Sequence, residues 1–321
     1  MTGVAQPKAV AVIGAGTMGH ALALVHALGG CEVALHDVSA PVLAAAPGLI
    51  DGALDTLVQS GTVTQKAGGE ALGRIRYTSV LPEAAEGAEL VVEAVVESAE
   101  VKRAVYDELD RVCAAGAVWA SNTSYLDVFP LMPRRRQDRA AIAHWYTPPY
   151  LIDLVDLAPG PGTDPQVISM LERFYAEMGK APVVFDRLVP GYVANRLQMA
   201  LNLECLRMIE EGWAGAEEID RSIRHGLVAR MAVLGHMRKM DFTGLEMVRN
   251  GVSAGTYQPP VSGRDSPVLR GLIEAGRSGV RDGAGFYDYA GESAEVLFRR
   301  RDQRIARMKR AIADIMEGDG E

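Results

Sequence analysis

The sequence predicts an α/β fold: a doubly wound, mostly parallel sheet followed by a mainly α-helical C-terminal domain. Three observations carry that expectation. Short β-rich runs alternate with helical runs up to about residue 186, strand signals fade from Pro190 onward, and a glycine-rich turn joins the first run to the first helix. Parallel strands need crossover connections, so this alternation argues for a sheet covered by helices. The change near Asp186–Gly191 divides the chain into domains 1–188 and 189–321.

The expected strands are Lys8–Ile13, Glu32–His36, Leu90–Val95, Ala117–Ser121 and Ala141–Trp145, each a short apolar run rich in valine, alanine or isoleucine. Helix-like stretches lie between them, for instance Ala99–Ala114. A later helix is well punctuated, with Asp164 as cap, Pro165 in the first turn and Gly179 at its end. Beyond the boundary, Tyr192–Glu211 reads as one long helix with Leu197, Leu201, Cys205 and Met208 at helical spacing. The basic stretch from Arg299 to Arg310 reads as a solvated helix face, and Arg134–Arg136 as an exposed loop.

Composition narrows the function classes. The chain has 321 residues, 48% of them hydrophobic and 23% charged, which excludes a disordered chain. Lys plus Arg number 33 against 41 Asp plus Glu, a formal charge of −8, so a phosphate backbone is an unfavourable partner. Three scattered cysteines, Cys31, Cys113 and Cys205, show no metal spacing and fit a reducing, cytoplasmic setting. The uncharged stretch Ala9–Cys31 is broken by five glycines and two histidines, so no membrane or signal segment is expected there.

Gly14-Ala-Gly16-Thr-Met-Gly19 follows a buried-type strand and opens a helix, with Thr17 and Met18 inside the turn. Gly14 permits a tight turn, Gly16 lets backbone approach a pyrophosphate, and Gly19 lets helix and strand pack closely. The helix start then offers unpaired N–H groups and a positive dipole end to phosphates. Asp37 ends the second strand, 18 residues after Gly19, where a carboxylate can accept both ribose hydroxyls and repel a 2′-phosphate. The expected first domain is therefore of Rossmann type, with NAD favoured over NADP. Methyltransferases also place an acid after their second strand and stand as the rival cofactor class.

Further along, the chain reads Val91-Val-Glu-Ala-Val-Val-Glu97, Ser121-Asn-Thr-Ser124, His144-Trp-Tyr-Thr-Pro-Pro149, Pro190-Gly-Tyr-Val-Ala-Asn-Arg196 and Gly283-Ala-Gly-Phe-Tyr287. In order and spacing these resemble the L-3-hydroxyacyl-CoA dehydrogenases, a family that includes free hydroxy-acid enzymes such as L-gulonate 3-dehydrogenase (lambda-crystallin) and carnitine dehydrogenase. The resemblance covers roughly residues 8 to 290. It implies an NAD-dependent dehydrogenase interconverting a 3-hydroxyacyl substrate and its 3-oxo product, a homodimer, and a place in fatty acid metabolism. It makes His144 the catalytic base and Ser124 and Asn195 polar groups on the substrate side. Glu97, Lys102 and Asn122 fall at cofactor positions, beside Gly14, Gly16, Thr17, Met18, Gly19 and Asp37.

Three departures stand out. The carboxylate orienting the histidine is usually Glu in this family; the matching position, twelve residues after His144, is Asp156. Spacing alone leaves Asp153 open as the partner, because a tight hairpin through Thr147–Tyr150 would set it opposite His144. The family's Gly-Pro after the second-domain turn reads Gly235-His236. No Lys or Arg occurs between Asp37 and Lys66, where CoA-using members tend to carry basic residues. Desolvating CoA phosphates without cations is costly, so a free or carrier-bound 3-hydroxy acid stands beside the CoA thioester as substrate. A non-catalytic NAD-binding structural protein is the reading from another class.

Overall fold

The computed structural model describes residues 5–318 except 262, 264 and 290. The backbone divides into two compact units, Met1–Tyr192 and Val193–Glu321.

The first unit is built on one eight-stranded sheet. Its strands are β1 (Ala9–Ile13), β2 (Glu32–His36), β3 (Ile75–Thr78), β4 (Leu90–Glu93), β5 (Val118–Ser121), β6 (Ala140–Trp145), β7 (Leu154–Pro159) and β8 (Ala181–Val184), in spatial order β3-β2-β1-β4-β5-β6-β7-β8. Every neighbouring pair is parallel except β6 with β7. The central strands are buried on both faces, which is why they read as unbroken apolar runs. The three strands absent from the sequence reading explain themselves. β3 carries exposed Arg76 and Tyr77 at one sheet edge, β8 contains Pro182 at the other, and β7 has Asp156 in its middle.

Around the sheet run α1 (Gly19–Leu28), α2 (Ala40–Gln59), α3 (Gln65–Leu72), α4 (Leu81–Ala85), α5 (Ala99–Val112) and α6 (Pro165–Glu177). Nearly all of α1 is buried, as its lack of charge demands. α2 is long and apolar enough by composition to cross a bilayer, but it contains Pro47, Asp51 and Asp55 and packs on α1. The Asp164 carboxylate caps α6 by accepting from the Gln166 N–H, with Pro165 in the first turn and Gly179 beyond the end at φ +73°. At Arg134–Arg136 the exposed-loop expectation fails for Arg136. This side chain is buried, donates to the carbonyls of Asp110, Cys113 and Ala114 at the end of α5, and lies over the Trp119 ring. Its cation satisfies carbonyls that a helix end leaves unpaired.

The second unit is helical: α7 (Ala194–Glu210), α8 (Ala216–Ser222), a π-helical turn at Ile223–Val228, α9 (Ala229–Leu234), α10 (His236–Thr243), α11 (Leu245–Ser253), α12 (Pro267–Glu274) and α13 (Ala294–Gly318). The predicted long helix is present, but Leu197 and Leu201 on it are exposed. Phe242 and Val252 are 77% and 80% exposed. In the basic stretch, Arg299 pairs with Glu295 on α13, and Arg300 pairs with Glu292 before it.

Candidate active site

The sheet order reverses at β1, whose neighbours β2 and β4 lead off in opposite directions, and open α/β sheets bind ligands outside the strand ends at such a point. The glycine turn sits there. Gly14 has φ +99°, and a Cβ on it would lie 2.6 Å from the Ala94 carbonyl oxygen. A Cβ on Gly19 would come 1.6 Å from the Gly14 carbonyl oxygen. Gly16 differs: a Cβ there meets nothing within 4 Å. Two glycines therefore shape the turn while the third faces open space, as a phosphate cradle requires. Asp37 accepts from the Ala15 N–H at 2.8 Å through Oδ2 and from the Ser39 N–H at 2.8 Å through Oδ1, tying the acid to the turn. These residues fit a dinucleotide with a free ribose diol.

The ends of β4 and β5 hold a buried network that sequence reasoning missed. Glu93, the last residue of β4, is 2% exposed and fully engaged. It accepts from Lys102 Nζ (2.7 Å), the Val95 N–H (2.9 Å), the Tyr106 hydroxyl (2.7 Å) and the Ser121 hydroxyl (2.6 Å). The signal was a charge inside the apolar run Leu90–Val95, which a fold tolerates only with partners. Lys102 is 1% exposed, and its ammonium also lies 3.3 Å from Glu97. Its cation is thus held between two carboxylates.

Glu97 in turn grips the loop after β5. Its Oε1 accepts from the Thr123 hydroxyl at 2.6 Å and from the N–H groups of Ser124, Tyr125 and Leu126 at 3.0–3.3 Å. Burial raises the Glu97 carboxyl, but Thr123, the Tyr125 N–H, Lys102 and the Ser124 N–H outweigh it together, and the net direction is down. Asn122 accepts the Trp145 N–H at 2.8 Å and so joins this loop to β6. Tyr192, also missed, donates its hydroxyl to the Thr123 carbonyl at 2.9 Å and stacks on the His144 ring at 4.6 Å. Its φ of +47° is rare for a bulky residue and is held in place by these contacts. Burial, then the charges of Asp156 and Glu97, push its phenol well above the ordinary range.

His144, 3% exposed on β6, stands directly opposite Asp156 on β7 in the antiparallel register. Its Nε2 is 3.1 Å from the Ser124 hydroxyl oxygen. Its Nδ1 is 3.5 Å from Asp156 Oδ2, within ion-pair reach but outside good hydrogen-bond length. The structure thus brings His144, Ser124 and Asp156 together, whereas Asp153 faces Lys180 at 3.4 Å. The Thr147 hydroxyl, beyond His144, donates to the Met18 sulfur at 3.1 Å and links this cluster to the glycine turn. Thr17 lies inside that turn at residue 17. Asn195 belongs to the second unit, in the first turn of α7. The Gly283–Tyr287 motif is also there, and the Tyr287 hydroxyl donates to Asp220 at 2.8 Å. Among the described residues no His, Cys, Asp or Glu cluster suits a metal.

Fold and site define an NAD-dependent oxidoreductase acting on a CH–OH group. The 3-hydroxyacyl-CoA dehydrogenase NAD-binding domain matches residues 9–188 and the C-terminal domain of the same name matches 191–289, and the chain belongs to that family. It is 30% identical over 306 residues to 5-formyl-3-hydroxy-2-methylpyridine 4-carboxylate 5-dehydrogenase of Mesorhizobium japonicum, covering 94% of this chain and 97% of that one. It is 34% identical over 292 residues to 3-hydroxybutyryl-CoA dehydrogenase of Bradyrhizobium diazoefficiens, covering 88% and 96%. A crystal structure of a 5-formyl-3-hydroxy-2-methylpyridine 4-carboxylic acid 5-dehydrogenase, described as an NAD+ dependent dismutase, superimposes with TM-score 0.85 at 28% identity. That match spans 95% of this chain and 98% of the other.

Proposed function

We propose that the protein interconverts a 3-hydroxy acid and its 3-oxo product with His144 as general base, and that its substrate is a free or carrier-bound acid rather than a CoA thioester. The observation that carries the chemistry is the alignment Asp156–His144–Ser124, with one imidazole nitrogen toward a carboxylate and the other toward a hydroxyl. Imidazole titrates near working pH, so Nε2 can take the proton of a substrate alcohol. Asp156 then faces the imidazolium that forms and stabilises it. Ser124, fixed through its backbone by Glu97, has its hydroxyl beside Nε2 and would turn it to the substrate oxygen once the alcohol takes its place at the imidazole. The glycine turn and Asp37 would hold NAD, which supplies the hydride acceptor when bound.

The choice of acid over CoA ester rests on charge. α2 carries Asp51 and Asp55 and no cation. Beyond it, Lys66 and Arg74 both lie at ion-pair distance from Glu70. The relative with a pyridine carboxylate in its name also matches more of this chain than the butyryl-CoA enzyme does. Following NADH absorbance across paired free 3-hydroxy acids and their CoA esters tests this. At least about tenfold higher kcat/KM for an acid is expected, and equal rates, or a CoA ester preferred, would refute it.

Two further elements belong to this reading. The apolar side chains that the second unit leaves exposed, Leu197, Trp213, Phe242 and Val252 among them, support a homodimer formed through that unit. Three cysteines without disulfides, Cys31, Cys113 and Cys205, support a cytoplasmic setting.

A further inference from the structure

The carboxylate oxygen nearest the catalytic imidazole has a second claimant. Tyr146 lies two residues after His144, immediately beyond the end of β6. Its hydroxyl donates to Asp156 Oδ2 at 2.5 Å, the same oxygen that stands 3.5 Å from His144 Nδ1. Its ring meets the His144 ring edge-on at 4.7 Å. A hydrogen bond of that length to an ionised acceptor is charge-assisted and strong, and Asp156 is 1% exposed, so little solvent competes for its charge. Aspartate here is one methylene shorter than glutamate, and its Oδ2 stands 3.5 Å from the imidazole Nδ1.

We propose that Tyr146 is a positioning residue of the active site. By holding Asp156 Oδ2 it fixes the carboxylate rotamer and draws negative charge away from His144, weakening the pull of Asp156 on the imidazolium. The groups facing His144 are Asp156 on β7, Tyr146 just after β6, Tyr192 before α7 and Ser124 after β5. Glu97, after β4, adds a charge that Lys102 offsets. Among them Tyr146 alone donates directly to the Asp156 oxygen that approaches the ring.

This inference rests on His144 being the proton acceptor, and the experiment separates the two. Tyr146→Phe, Asp156→Asn and the double variant form a cycle read by the acid limb of kcat/KM for alcohol oxidation. The imidazole N–H proton resonance of His144, recorded without substrate, is read alongside. Losing the tyrosine hydroxyl leaves Oδ2 free to bond Nδ1–H, so in Tyr146→Phe the resonance moves downfield. The imidazolium is then better stabilised, and the limb moves to higher pH by about half a unit or more. KM for NAD stays unchanged. With Asp156→Asn already present, Tyr146→Phe causes neither change, because the two side chains act through one contact. An unmoved resonance in Tyr146→Phe, or an equal effect in the Asp156→Asn background, overturns the proposal. If His144 is not the base, the rate arm loses its meaning while the resonance still decides the contact.

Discussion

At the scale of single residues, histidines with one name do different work because their surroundings differ. His144 has a carboxylate at one ring nitrogen and a hydroxyl at the other. His26 on α1 is fully buried among Trp145, Phe174 and Tyr175, with Nδ1 on the Leu22 carbonyl at 2.8 Å. Burial lowers its pKa from 6.5 to about 4. A base depressed by folding binds its proton more readily in the unfolded chain. Stability is therefore complete above pH 6.5 and falls as pH drops toward 4. The loss attributable to His26 is on the order of 3 kcal/mol across that window. In His26→Gln, denaturant unfolding from neutral pH to pH 4 should show a correspondingly shallower decline; a slope equal to that of the wild type would remove His26 from the account.

Among elements, β4 and α5 show what was legible and what was not. The glycine turn, Asp37, the five central strands and the Asp164 cap could all be read from spacing, because backbone geometry restricts the residues that serve there. Lys102 could be placed by resemblance at a cofactor position, but its partners could not. Glu93, Tyr106 and Ser121 come from three separate segments and meet only when β4, β5 and α5 pack. Tyr192 escaped notice for the same reason: nothing in Pro190-Gly-Tyr signals a ring stacked on His144. Removing one member of a buried ion pair strands the other charge, so Lys102→Met should destabilise the fold by about 3–5 kcal/mol in chemical denaturation. A change under about 1 kcal/mol would mean that Glu93 escapes to solvent or protonates without cost.

The whole molecule joins a unit that is well buried to one that is not. The first unit closes its core around the sheet, whereas Ile219, Gly285, Asp302 and Ala306 are the buried residues among those described in the second. Periodicity placed Leu197, Leu201, Cys205 and Met208 on one stripe, but a stripe does not say which surface covers it. A second copy of the chain would, and sedimentation equilibrium should return twice the 34.4 kDa chain mass; a monomer at micromolar concentration would contradict this. Proton removal by His144 is tested most directly by comparing NADH formation by the wild type and His144→Gln on the preferred 3-hydroxy substrate, with NAD affinity measured in parallel. If His144 removes the proton, kcat falls by roughly a hundredfold or more with NAD affinity retained. Turnover within a few-fold of the wild type would contradict it.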